Sequence, residues 1–77
     1  MRISNDTELY QIIGVNIKYF REESKLTQIQ LADKAQISIS YLSKLEASGC
    51  NKSLSISVLN HIANALGVDI TEFFIRR

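Results

Sequence analysis

Side chains that can form hydrogen bonds and ion pairs are concentrated in the segment SISYLSKLE, which spans residues 38–46. If this segment is a helix, Glu46 lies within about 60° of Leu42 on the helical wheel, so its carboxylate points to the buried side. Ser40 and Lys44 lie near the opposite pole. The segment therefore carries hydroxyl and ammonium donors on its outer face and a carboxylate on its inner face.

The outer face of this segment is short-chained for a helix that faces only solvent. Solvated helix faces more often carry long charged residues in i,i+4 pairs, whereas here Ser43 continues the small outer face and Ile39 and Tyr41 stand at its rim. Small side chains let a helix approach another surface closely. The major groove of DNA admits one α-helix, and hydroxyl and ammonium groups on that helix can reach base edges. The pattern favours such a contact, and the alternative is an ordinary solvated, serine-rich face.

The spacing of apolar residues predicts five short helices around this segment. The first four are expected at about 7–24, 27–35, 38–47 and 55–66, and the fifth begins at Asp69. Gly49 and Gly67 are expected to end the third and fourth helices. Thr27 with Gln30 three residues later is a capping-box spacing, and Ser38 and Ser55 are further candidate N-caps. The fourth helix is expected to bury its apolar side, with Ile56, Leu59, Ile62, Ala63 and Leu66. Such brief links predict a compact all-α domain over residues 1–77.

Composition narrows the class of protein further. The chain has 77 residues with 45% apolar side chains, no proline and three glycines, which favours one small helical bundle. The net charge of +1 does not by itself indicate a nucleic-acid partner. A single cysteine, no long apolar run and a polar N-terminus predict a cytoplasmic protein without disulfides, signal peptide or membrane contact.

Residues that would support catalysis or cofactor binding are sparse. Cys50 is expected to be an inert loop thiol, and His61 has no second histidine or cysteine ligand nearby for a metal. The chain shows no G-x-S-x-G motif, paired carboxylates or phosphate-binding glycine loop. We therefore expect no enzyme activity, no cofactor and no small-molecule ligand.

The segment TQIQLADKAQISISYLSKLE, residues 27–46, resembles the helix-turn-helix of the phage repressor and Cro family, also called the xenobiotic-response-element type. The resemblance continues through IGVNIKYFREESKLTQ before it and LSISVLNHIANALGVDITEFF after it, and small restriction-modification controller proteins are similar in size. The matching positions are Thr27, Gln28, Leu31, Ala32, Ala35, Ile37, Ser38, Leu42, Leu45 and Glu46. Two departures are Gln36 at the turn position usually held by glycine and a loop, SGCNKS, without proline.

The resemblance implies a lambda-repressor-like bundle of five helices with its helix-turn-helix at about residues 27–47. It also implies sequence-specific binding to double-stranded DNA, as a homodimer on a palindromic operator. Base-reading positions are then Ser38, Ile39, Ser40, Ser43 and Lys44, and backbone-contacting positions are Gln28, Tyr41, Asn51 and Lys52. Arg21 matches the arginine that relatives pair with the glutamate at Glu46. The C-terminal cluster Phe73, Phe74 and Ile75 is expected to complete the core and, in part, to form a dimer contact.

Two alternatives share this fold. An antitoxin would repress its own operon and also hold a toxin, and an adaptor would bind a protein through the same helices. In an adaptor, Ser43→Glu and Lys44→Ala should leave partner binding and DNA retention unchanged. An enzyme is the reading least favoured by the residues.

Overall fold

A computed structural model describes residues 5–48 and 54–77. It contains α1 (Asp6–Glu23), α2 (Gln28–Ala35), α3 (Ile39–Ser48), α4 (Ile56–Leu66) and a 3-10 helix (Ile70–Phe74), with no strand in the described parts of the chain. The predicted all-α class is confirmed. The fifth predicted helix is a 3-10 helix of five residues rather than an α-helix. This difference fits its shortness, since 3-10 geometry is used mostly in short pieces.

Side chains that accept backbone hydrogen bonds fix the helix starts. Thr27 Oγ1 accepts from Gln30 N at 3.1 Å, while Gln30 Oε1 accepts from Thr27 N at 2.8 Å, so the predicted capping box is present. Ser38 Oγ accepts from the backbone of Tyr41 at 3.0 Å, and Ser55 Oγ accepts from Val58 N at 3.1 Å. These bonds satisfy N–H groups that have no partner within their helices. The caps therefore confirm the starts predicted from the sequence.

Two of the helices have a C-cap residue in the left-handed conformation. Gly67, the predicted terminator of α4, has φ 69°. Gln36 adopts φ 61° and ψ 41° at the end of α2, so the non-glycine residue takes the strained conformation at the turn. The predicted terminator Gly49 lies outside the described residues.

The core lies between α1 and the other helices. α1 packs against α3, α4 and the 3-10 helix, while α2 packs against α3 and α4. Its fully or nearly fully buried apolar residues include Ile13, Ile17, Leu31, Ala32, Ala35, Leu42, Leu45, Leu59, Ile62, Ala63 and Phe73. The predicted burial of Ile56 is wrong, since this side chain is 70% exposed. Ile56 is the first residue of α4, and a side chain there leans toward the N-terminus, beyond the end of the helix.

No helix in the described ranges is suited to crossing a membrane. None of the helices in residues 5–48 and 54–77 is both long and apolar enough to span a bilayer.

Candidate nucleic-acid interface

The outer face of α3 is open to solvent. Ser38, Ile39, Ser40, Ser43 and Lys44, the residues predicted to read bases, are all exposed. On the inner side Leu42 and Leu45 have no exposed area. The two-sided pattern read from the sequence is thus present, and the small side chains form the face that another molecule can approach.

The predicted pair of Arg21 and Glu46 is present on the inner side of α3. Arg21 Nε lies 2.7 Å from Glu46 Oε2, and Arg21 Nη2 lies 2.9 Å from Glu46 Oε1, which is a bidentate pair. The side chains are 12% and 2% exposed, respectively. Hydrogen bonding to Glu46 raises the pKa of Arg21 above its ordinary value, although burial acts in the opposite direction. The end of α3 is therefore tied to α1 by a charged contact that water barely reaches.

Two further hydrogen bonds extend this pair into a network. Gln28 Nε2 donates to Glu46 Oε1 at 3.0 Å, and Arg21 Nη1 donates to the carbonyl of Leu26 at 2.8 Å. Arg21 belongs to α1, Gln28 begins α2 and Glu46 belongs to α3. One carboxylate thus connects the three helices that set the angle of the outer face. The role of Gln28 in this network was not predicted, because only the fold brings its amide beside Glu46.

Tyr41 differs from the expectation of an accessible hydroxyl. Its oxygen is buried and has no hydrogen-bond partner among the residues that the structure describes. Burial raises the pKa of Tyr41. In this conformation the hydroxyl is turned away from solvent, so a phosphate can reach it only after the side chain rotates.

The remaining predicted residues fall into three groups. Asn51 and Lys52 lie outside the described residues, as does Cys50. Phe73 is completely buried in the core, so it has no side-chain surface for a partner, whereas Phe74 is half-buried and Ile75 is 42% exposed. Of the three residues predicted to form a dimer contact, Phe74 and Ile75 therefore remain candidates.

The described parts of the chain contain no cluster of side chains that could bind a metal ion. His61 is exposed, and no group of three histidine, cysteine, aspartate or glutamate side chains is placed to hold an ion in residues 5–48 and 54–77.

Sequence reasoning missed two notable side chains. Ile29, directly after Gln28 at the start of α2, is 68% exposed. Asn16 is only 1% exposed although it is polar. Its signal in the sequence was an amide placed among Ile12, Ile13 and Ile17 on the buried side of α1.

Comparison with known proteins gives a consistent result. A family model described as helix-turn-helix matches residues 17–73. The immunity repressor protein of Bacillus phage phi105 is 48% identical over 59 residues, which make up 77% of this chain and 40% of that protein. The chain thus spans less than half the length of this relative.

Two solved structures with a similar fold are restriction-modification controller proteins. C.AhdI from Aeromonas hydrophila is 25% identical, with a TM-score of 0.77 and coverage of 84% of this chain and 96% of its own. C.Esp1396I is 32% identical, with a TM-score of 0.78 and coverage of 90% of this chain and 87% of its own. The likeness therefore extends over the whole bundle and not only over α2 and α3.

Proposed function

Because the chain belongs to the helix-turn-helix family of DNA-binding transcription regulators, we propose that it is a repressor that binds a palindromic operator as a homodimer. The observation that carries this proposal is the exposed, short-chained outer face of α3, held from inside by Leu42, Leu45 and Glu46. A helix that is fixed on one side and open on the other can enter the major groove without rearrangement of the bundle.

Base reading is assigned to the exposed side chains of α3. Lys44 can donate to guanine O6 or N7, and Ile39, which is 45% exposed, can pack against a thymine methyl group. The hydroxyls of Ser40 and Ser43 can donate to or accept from base edges, since a hydroxyl serves both roles. Ser38 keeps its hydroxyl hydrogen for such a contact, because its oxygen accepts from the backbone of α3.

Backbone contacts are assigned to the start of α2 and to the loop after α3. Gln28 begins α2, where the positive end of the helix dipole favours a phosphate. One hydrogen of its amide is used by Glu46, and the other remains for a phosphate oxygen. Asn51 and Lys52 follow α3 in sequence and are proposed to contact the next phosphates. Tyr41 would join them only with its side chain turned outward.

Dimerisation is assigned to the C-terminal segment with Phe74 and Ile75. Ile75 is 42% exposed, and apolar surface of this kind is stabilised when a second copy covers it. A two-fold axis would place the two α3 helices in successive major grooves, roughly 34–36 Å apart. The operator should then consist of two inverted half-sites.

The first experiment is an unbiased selection of bound DNA sequences, followed by titration of purified protein with the selected site and a scrambled site at two salt concentrations. Specific binding predicts a clear preference for an inverted repeat, with affinity that falls as salt rises. Equal affinity for the scrambled site at both salt concentrations would rule out a sequence-specific regulator.

A matched pair of variants tests the face that is used. Ser43→Glu places a carboxylate on the outer face of α3, and we expect at least about ten-fold weaker binding because the charge faces the DNA. Asn60→Glu makes the same change of charge on an exposed position of α4 and should retain affinity. If both variants bind the operator as tightly as the wild type, the outer face of α3 does not read DNA.

A further inference from the structure

Asn16 forms a buried contact between α1 and the C-terminal segment. Its Nδ2 donates to the carbonyl oxygen of Phe73 at 2.9 Å and to that of Ile75 at 2.7 Å. Its Oδ1 accepts from Arg77 Nε at 2.9 Å. Both hydrogens of the amide are therefore used, and the side chain is only 1% exposed. A buried amide with all these bonds fixes the backbone to which it is joined.

The C-terminal segment, residues 73–77, gains further contacts from Arg77. The guanidinium carbon of Arg77 lies 4.8 Å from the ring centre of Phe20 and 5.4 Å from that of Tyr19. Its Nη2 also lies 3.0 Å from Glu72 Oε1. The final carbonyls of such a short 3-10 helix have no partner within the helix. The contacts of Asn16 and Arg77 thus hold the segment that follows it against α1.

The same segment forms a wall of two surface grooves. On one side Ile75 lines a groove with Ile12 and Val15, which is 58% exposed. On the other side Phe74 lines a mostly apolar groove with Ile56, which is 70% exposed. A displacement of the segment would change the shape of both apolar surfaces together.

We propose that Asn16 is a positioning residue for the pairing of two copies. By holding the carbonyls on either side of Phe74, it orients Phe74 and Ile75 as a second copy meets them. Arg21 follows five residues later on α1 and holds the recognition helix. Asn16 therefore helps to set the distance and angle between the two recognition helices. This role rests on the proposed homodimer.

The test compares binding to a single half-site with binding to the full operator. Asn16→Asp keeps the shape of the side chain but cannot donate to the two carbonyls. We expect its affinity for a half-site to stay within about two-fold of the wild type. The advantage of the full operator should fall at least about ten-fold, or its optimal half-site spacing should shift, because only paired copies sense the spacing. Sedimentation equilibrium should show a weaker dimer.

Three further variants keep the test decisive. Asn16→Ser retains one donor and should give an intermediate spacing effect, and it decides the question if Asn16→Asp does not fold. Arg77→Ala leaves both carbonyl bonds of Asn16 in place and should retain most of the full-site advantage. Ile62→Val weakens the core while it removes none of the hydrogen bonds of Asn16, and it controls for stability alone.

Two results would overturn the role of Asn16. One is a parallel loss of half-site and full-site affinity that follows stability, as in Ile62→Val, which indicates a merely structural residue. The other is a full-site advantage and spacing preference equal to those of the wild type. If the wild-type protein itself shows no full-site advantage, the homodimer is refuted, and that result is distinct because it appears before any variant is compared.

Discussion

Replacement of Arg21 by alanine removes three hydrogen bonds at once, two to Glu46 and one to the carbonyl of Leu26. Among the described residues, the carboxylate of Glu46, with its side chain 2% exposed, would keep only the bond from Gln28. Loss of one partner from a buried ion pair costs about 3–5 kcal/mol. We expect about 3 kcal/mol, because Arg21 is at the edge, 12% exposed, and water can partly replace it.

This loss is large relative to the stability of so small a domain. At about 0.05–0.15 kcal/mol per residue, 77 residues have a free energy of unfolding of roughly 4–12 kcal/mol. Urea unfolding followed by circular dichroism measures the change. With a slope of about 1 kcal/mol per M, the midpoint should fall by about 3 M.

A double-mutant cycle isolates the charge. Glu46→Gln in the Arg21→Ala background leaves no unpaired buried carboxylate, so it should recover part of the lost stability. Operator binding, measured at a temperature at which the variants stay folded, should weaken only modestly. A change in unfolding free energy below about 1 kcal/mol for Arg21→Ala would refute the reasoning, since the pair would then not hold α3 in place.

Further predictions concern single positions. Tyr41→Phe should raise the unfolding free energy by up to about 1 kcal/mol and preserve operator affinity, because it removes a buried hydroxyl without a partner in the described structure. Because burial raises the pKa of Tyr41, its contribution to the free energy of unfolding should be intact below about pH 10 and should fall as pH rises further. Urea unfolding at high pH should show that the phenylalanine variant lacks this fall. Positions 36 and 67 both have positive φ, which glycine adopts more easily than other residues. Gln36→Gly should therefore raise the free energy of unfolding by about 0.5–1 kcal/mol, and Gly67→Ala should lower it by about 1 kcal/mol. Shifts of melting temperature in the opposite directions would contradict this. Thr27→Ala should cost about 1 kcal/mol in urea unfolding through loss of the capping box.

The helix starts and the two faces of α3 were predictable because they depend on residues close in sequence. Thr27 and Ser55 cap the helices that follow them, and the period of 3.6 places Leu42 inward and Ser40 outward whatever the neighbouring helices do. The pairing of Arg21 with Glu46 spans 25 residues and was expected only from resemblance to a family.

Features that depend on three-dimensional placement were not predictable. Ile56 has the spacing of a core residue, but its position at the first turn of α4 leaves it exposed. Gln28 and Glu46, which share a hydrogen bond, are 18 positions apart in sequence. The two carbonyls bound by Asn16 are 57 and 59 positions away from it. Periodicity along one helix contains no information about such partners.

The anchoring of α3 from its inner side has a consequence for divergence within such proteins. Leu42, Leu45 and Glu46 hold the helix from inside, whereas Ser40 and Ser43 on its outer side are exposed. Exchange of exposed side chains usually changes stability by less than about 0.5 kcal/mol. If α3 reads DNA as proposed, a bundle of this kind can therefore acquire a new DNA sequence preference by substitution at Ser40, Ser43 or Lys44 while its core is inherited unchanged.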